Sequence, residues 1–403
     1  CLLPLRVCVS LLWLGRCHFF VTAFLSQQRL VVHSRRRWIF PSQSSTKTSS
    51  TQFQAAKKGF SGSNSGTPKG FGATSKTKKK PSKKAVLKRI EKLYGGTSGP
   101  QIAQATQQRI ETAMRQLPPH FQMATQLYQQ LQTWDARLSI MTVLQQTTQI
   151  SPAEMEGAQR AREELQRIYD EHGISEVDLR NTFQKITWDA SADAKAARSI
   201  TGDMPAAIAE RVDRACAMVA ETVGSNGRCL DVGCGFGVLV PYLTEPRRLQ
   251  PCQIYGIDLS PEMIRNAQEL HGSSSASGPT FEAVDFLKDY QPPPDEDGKG
   301  TFEAVMFCSA LHDMPDMDAT LAKAWSLVKP GGGRLFVLHA QGASHVAQQS
   351  RANPVLVPRG LPTAQDYQEA MKTWLEGARL VVAPAQTRDE EEKDGYLAVL
   401  EKA

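Results

Sequence analysis

Leu230–Gly237 reads LDVGCGFG, a short apolar run that closes on three glycines at alternate positions. Glycines packed this densely let the backbone pass close to another group, because no side chain holds it off. The residues Arg228–Val232 predict a strand and Val238–Leu243 the start of a helix, so the glycines fill a strand-to-helix turn. A helix over Pro205–Val223 precedes them. After them the pattern predicts a strand at Ile254–Asp258, a helix from Pro261 to about Leu270, and strands at Phe281–Val284 and Phe302–Cys308. A helix over Met317–Val328 then stops at Lys329-Pro330-Gly331-Gly332-Gly333, ahead of a strand at Arg334–Leu338. A helix around Ala364–Leu375 and strands at Arg379–Ala383 and Tyr396–Leu400 complete the chain.

Such alternation implies a parallel sheet with helices on both faces. The last two strands are joined by TRDEEEKDG (387–395), which leaves no room for a crossover helix, so they are expected to pair antiparallel. The expected fold is α/β: a doubly wound, mostly parallel seven-stranded sheet with an antiparallel last strand, preceded by a helical accessory region.

In an open parallel sheet, ligands bind beyond the carboxyl ends of the strands, and the first strand-to-helix turn comes closest to them. A dinucleotide site prefers G-x-G-x-x-G, with a pyrophosphate on the helix amino end. Here Val238 stands where the last glycine would be needed, and Asp231 is a poor neighbour for a pyrophosphate. A ligand with a cationic amino-acid end near Asp231 and a ribose near Asp258, 21 positions after Gly237, satisfies both facts. S-adenosylmethionine distributes its groups in this way.

The string LDVGCGFG, followed by YGIDLSPEMIRNAQ (255–268), FEAVDF (281–286), FEAVMFCSALHDM (302–314) and KPGGGRLFVLH (329–339), closely resembles the successive motifs of the class I S-adenosylmethionine-dependent methyltransferases. The resemblance covers about residues 196–403 and implies methyl transfer, with S-adenosylmethionine as the cofactor. It implies that Asp231 faces the methionine end of the donor and that Gly233, Cys234, Gly235 and Gly237 form its close passage. By the same resemblance Asp258 holds the ribose hydroxyls, Leu259 and Met263 cover the adenine, and Asp285 and Phe286 reach the adenine amine and ring face. Phe307, Cys308 and Ser309 would end the fourth strand under the methyl group.

The sulfonium is already a good leaving group, so a base is needed only for a nucleophile that arrives protonated. His312 is the best-placed candidate and resembles a histidine carried there by small-molecule methyltransferases; a pocket-wall histidine fits the position equally. His339 and His345 are weaker candidates on the acceptor side. The amine-methylating motif N/D-P-P-Y/F is replaced by CSALHD, which disfavours base or glutamine-amide methylation by that route. The expected acceptor is a small molecule. An rRNA or protein methyltransferase that uses the helical region to hold its substrate, and a donor-binding scaffold without catalysis, remain open alternatives.

Composition divides the chain sharply. Residues 1–90 hold 18 Lys or Arg and no acidic residue, which leaves 29 basic against 41 acidic residues from Glu91 onward, a net of −12. Binding of nucleic acid by a broad positive face on the core is therefore disfavoured. Residues 1–56 read as a targeting leader, with a signal-like apolar core ending Val21-Thr22-Ala23-Phe24 and then an acid-free Ser/Thr/Gln/Arg segment. This resembles the two-part leader of algae with secondary plastids; a mitochondrial leader or an uncleaved anchor fits the same composition. The segment LHAQGASHVAQQSRANPVLVPRGLPT (338–363) also resembles methyltransferase-like proteins of plants and algae.

Residues 57–84 have the composition of a disordered basic linker, residues 85–195 read as helices, and residues 196–403 form the expected catalytic domain. Ser151-Pro152-Ala153-Glu154 predicts a helix start, with a stop at Gly173. The helical region carries no chemical constellation and reads as a packing or docking module. The cysteines form no C-x-x-C pair, so no metal site and no disulfide framework is expected. No transmembrane segment is expected in the mature protein.

Overall fold

The computed structural model describes residues 99–403 apart from 144–149, 202–203, 246–247, 273–276, 296–297 and 355, together with Lys88, Glu91 and Lys92. The expected leader (1–56) and linker (57–84) lie outside the described residues.

Four helices come first: α1 (Gly99–Gln116), α2 (Pro119–Val143), α3 (Pro152–His172) and α4 (Glu176–Thr201). The start of α3 is fixed as its sequence predicts. The Ser151 side chain accepts from the Glu154 N–H, Glu154 answers on the Ser151 N–H, and Gly173 ends the helix at φ 60°. Ala124, Tyr128 and Leu131 of α2 close a small core with Ala161, Leu165 and Ile168 of α3 and Leu179 of α4. Phe183 of α4 packs against both this core and that of the sheet, so the helices and the sheet share one side chain. Helix α4 also runs unbroken through position 196, where the catalytic domain was expected to begin.

The sheet follows: α5 (Ala206–Val223), β1 (Cys229–Val232), α6 (Val240–Thr244), β2 (Ile254–Asp258), α7 (Pro261–His271), β3 (Thr280–Ala283), β4 (Ala304–Cys308), α8 (Met317–Leu327), β5 (Arg334–His339), α9 (Ala343–Ala352), α10 (Ala364–Thr373), β6 (Ala378–Val382), α11 (Arg388–Asp394) and β7 (Tyr396–Lys402). Strand order is β3-β2-β1-β4-β5-β7-β6. The first five strands pair in parallel, and β7 runs antiparallel to both β5 and β6. This is the expected mostly parallel seven-stranded fold. Each central strand sends alternate residues to opposite faces. Leu230, Val305 and Leu335 join the core that holds α8 and α10, while Cys229, Ala304 and Phe336 join the one that holds α5, α6 and α7.

Two elements depart from expectation. The acidic connection 387–395 contains α11, capped by a Thr387–Glu390 capping box, although β6 and β7 still pair antiparallel as expected. A crossover needs about a dozen residues, so this short helix turns the chain without reversing the pairing. Helix α9 was not foreseen; it buries only Val346, so its sequence carries little apolar periodicity. No helix among the described residues is long and apolar enough to cross a membrane.

Candidate active site

The site lies where β1 splits from β2 on one side and β4 on the other, the point at which the strand order changes direction. Asp231 pairs in register with Gly256 of β2 and Met306 of β4, which places it at the centre of the sheet. It is 3 % exposed, and its Oδ1 has no hydrogen-bond partner. Burial, and then the charge of Asp258, push its carboxyl up to about 7. A buried, unpartnered carboxylate is costly, and it is matched by a ligand that brings a cation.

The three loop glycines all have positive φ: 73° at Gly233, 56° at Gly235 and 76° at Gly237. They differ in what surrounds them. A side chain at Gly233 would meet Ala310 Cβ at 2.5 Å, and one at Gly237 would meet the His271 ring at 2.8 Å. Those two serve internal packing. At Gly235 the nearest atom would be Met263 Sδ at 4.0 Å, so this position leaves open space above the loop. Gly235 N–H donates to Asp258 Oδ2 at 2.9 Å, and Ser260 N–H donates to Oδ1 at 2.9 Å. Asp258 is thereby held in one orientation with a lone pair free on each oxygen, and burial raises its carboxyl to about 6.

Around this pair Leu259 is half-buried and Met263 is buried. Cys234 is 3 % exposed with its thiol pushed well up by burial, and Cys308 at the end of β4 is half-buried with its thiol raised to about 12. Both behave as small apolar groups. Phe307 is completely enclosed and meets Phe286 edge-on with ring centroids 6.1 Å apart, so the two form the floor under the rim. Asp285 sits beyond the end of β3. Its Oδ1 accepts from the Leu287 and Lys288 N–H groups at 2.9 and 3.1 Å.

On the other side of the switch point, Ser309 is the sole non-glycine residue with positive φ (54°) among the described residues. Backbone in that region is strained, and such strain gathers at functional sites. It turns the chain off β4 so that His312, in the 3₁₀ turn Leu311–Asp313, faces the end of β5. The His312 and His339 rings meet edge to face at 5.1 Å, and His339 stacks on His345 at 5.6 Å. The structure thus brings all three candidate histidines together. His312 and His339 are 5 % and 3 % exposed, and Nδ1 of each is unpartnered. Burial first, then the two neighbouring rings, hold His339 well below its ordinary value; burial and His312 lower His345. No group of three His, Cys, Asp or Glu among the described residues is arranged to hold a metal.

Residues 230–334 match the family model described as a methyltransferase domain. Ubiquinone biosynthesis O-methyltransferases are similar to this chain: that of Xanthomonas oryzae pv. oryzae (strain PXO99A) is 28% identical over 220 residues, 51% of this chain and 80% of that protein. That of Xylella fastidiosa (strain 9a5c) is 29% identical over 229 residues, 53% and 81% respectively. Among solved structures, the magnesium protoporphyrin IX methyltransferase of Synechocystis PCC 6803 with bound SAM aligns at 18% identity and TM-score 0.37, over 56% of this chain and 97% of that one. The chain contains a methyltransferase domain. The residues of the site fit S-adenosylmethionine as the group they would hold. The orphaned Asp231 oxygen lies where a cation is wanted, the open space lies over Gly235, and Asp258 has free lone pairs.

The sequence missed α4 as a part of the methyltransferase site. Asn181 Nδ2 donates to Asp285 Oδ2, Asp189 Oδ1 accepts from Ser260 Oγ, and Gln184 Nε2 donates to the carbonyls of Leu356 (2.7 Å) and Asp313 (3.3 Å). Arg180 donates to the Pro315 carbonyl at 2.9 Å. A signal was present: Arg180, Gln184, Thr187 and Ser191 are polar residues at helical spacing, all buried. A polar stripe on a buried face marks a helix that caps loops, a role that falls within the expected packing or docking module.

Proposed function

We propose that the enzyme methylates a hydroxyl oxygen of a small-molecule acceptor held at the carboxyl ends of β4 and β5. The observation that carries this reading is the buried histidine cluster, in which His312 and His339 each present an unpartnered ring nitrogen beside the strained Ser309 turn. Unpartnered buried imidazole nitrogens cost free energy unless a ligand satisfies them, and an acceptor hydroxyl is such a ligand. The similarity to enzymes named as O-methyltransferases supports the same choice of atom.

In this reading Asp231 holds the cationic end of the donor and Asp258 the ribose hydroxyls, while Asp285 and Phe286 take the base. The sulfonium of the bound donor supplies an activated methyl group. His312 accepts the proton of the acceptor hydroxyl, and the Asp313 carboxylate, whose Oδ1 lies 3.6 Å from His312 Nε2, stabilises the imidazolium that forms. Holding the acceptor oxygen about 3 to 3.5 Å from the methyl carbon supplies the rest of the rate.

The test uses labelled S-adenosylmethionine with a panel of phenols, amines and carboxylic acids. Label is expected in phenolic products. His312→Ala should lower turnover by about 10² to 10⁴ at neutral pH, with donor affinity within about twofold of wild type. Unchanged turnover would assign His312 to the pocket wall, and label in protein or RNA would move the acceptor to a macromolecule. From the acid-free leader composition we also propose plastid import, checked by fusing residues 1–84 to a fluorescent protein in an alga with secondary plastids.

A further inference from the structure

Helix α4 lies outside the segment that matches the methyltransferase family model, yet its Asn181 reaches the loop after β3. The carboxylate of Asp285 is gripped from two sides. Leu287 and Lys288 N–H groups hold Oδ1, and the Asn181 carboxamide N–H holds Oδ2 at 2.5 Å. Two further anchors fix α4 along the same rim: Asp189 takes the Ser260 hydroxyl at the start of α7, and Asp193, 2 % exposed, pairs with Arg265 at 3.0 Å. Asn181 therefore holds its place by more than its own bond.

The register shows what this carboxylate faces. Asp258 pairs with Ala283, and Val284 N–H donates to the Asp258 carbonyl at 2.9 Å, so Asp285 stands on the rim one strand outward from the proposed ribose site. A nucleoside whose sugar sits on Asp258 carries its base in that direction, over the first turn of α7. A carboxylate accepts hydrogen bonds and donates none. It welcomes the 6-amino group of a purine and repels the lone pairs of a 6-oxo group. Oδ2 has a second lone pair for that amine once Asn181 has fixed the carboxylate's direction.

We infer that Asn181 is a positioning residue for the nucleobase of the donor: through Asp285 it makes the site select a 6-aminopurine over a 6-oxopurine. This rests on the donor reading above and deepens it. Without the Asn181 bond Asp285 is held through Oδ1 alone, its Oδ2 loses a fixed direction, and the preference falls.

Calorimetric affinities of the full-length protein for S-adenosylhomocysteine and S-inosylhomocysteine test this. Wild type is expected to favour the adenosine compound by about tenfold or more, the size of a charge-assisted hydrogen bond set against lone-pair repulsion. Asn181→Leu should weaken the adenosine compound by roughly five- to tenfold and leave the inosine compound within about twofold, so the ratio collapses. Asp285→Asn, whose amide can donate to a 6-oxo group, should shift the ratio toward inosine and serves as the second variant should Asn181→Leu unfold. Equal weakening of both compounds in Asn181→Leu, or an unchanged ratio in either variant, overturns the proposal. Failure of the wild-type protein to bind S-adenosylhomocysteine overturns the donor reading and the proposal with it.

Discussion

Asp231 sets two demands against each other. Its folded-state carboxyl is pushed up to about 7 from an ordinary 3.8, so the neutral form is favoured below about pH 7. A group raised on folding contributes stability that is complete below the unfolded value and is lost as pH rises through the folded one. The loss between these limits corresponds to at most about 4 kcal/mol. Asp231→Asn is therefore expected to raise the Tm by several degrees near pH 8 and by little near pH 5, while abolishing donor binding; thermal scans at both values with calorimetry check it. Because the donor's cation favours the ionised form, wild-type donor affinity should fall by up to about tenfold per pH unit below about 7. Asp258→Ala removes charge-assisted bonds worth roughly 1.5 to 3 kcal/mol, so donor affinity should drop some ten- to a hundredfold. Unchanged binding in a folded variant would move the ribose elsewhere. Both carboxylates were legible in the sequence because each stands at the carboxyl end of a strand, Asp231 just before the glycine-rich turn; which glycine stays open to a ligand was not, since neighbours far along the chain, such as Ala310 beside Gly233, decide it.

At the level of elements, β1, β4 and β5 were readable because each is buried on both faces, and such strands give continuous apolar runs between turn residues. Helix α9 was not, because it buries a single valine. Helix α4 was legible as a helix but not as a part of the site. Its side chains gain their meaning from loops about 70 to 170 positions onward, at Ser260, Asp285, Asp313 and Leu356. Phe183 joins the small helical core to the sheet core. Phe183→Ala should cost about 3 kcal/mol, at the lower end for a phenylalanine because the ring is only half-buried, and lower the Tm by roughly 6 to 12 °C. Separation of the transition into two steps would show that Phe183 carries the coupling; a small shift would place the coupling in the hydrogen bonds of α4.

Across the whole molecule, charge and chemistry are segregated. Every side chain placed at the candidate site lies between Arg180 and His345, while the first 84 residues carry 16 basic and no acidic side chains. Removing residues 1–84 changes the net charge from +6 to −10 and should move the protein from cation to anion exchangers, with donor affinity within about twofold of the full chain. A large loss of affinity would tie the leader to the site. The sequence by itself determined the alternation of strands and helices, the position of the donor turn, and the two strand-end carboxylates, because these follow from local periodicity and from residues adjacent along the chain. Only the tertiary structure decided that histidines from a 3₁₀ turn, a strand end and a helix come together and that a helix from outside the matched domain grips the rim beyond β3. Those contacts depend on how the sheet's strand order folds distant segments onto one edge, and no local pattern encodes that distance.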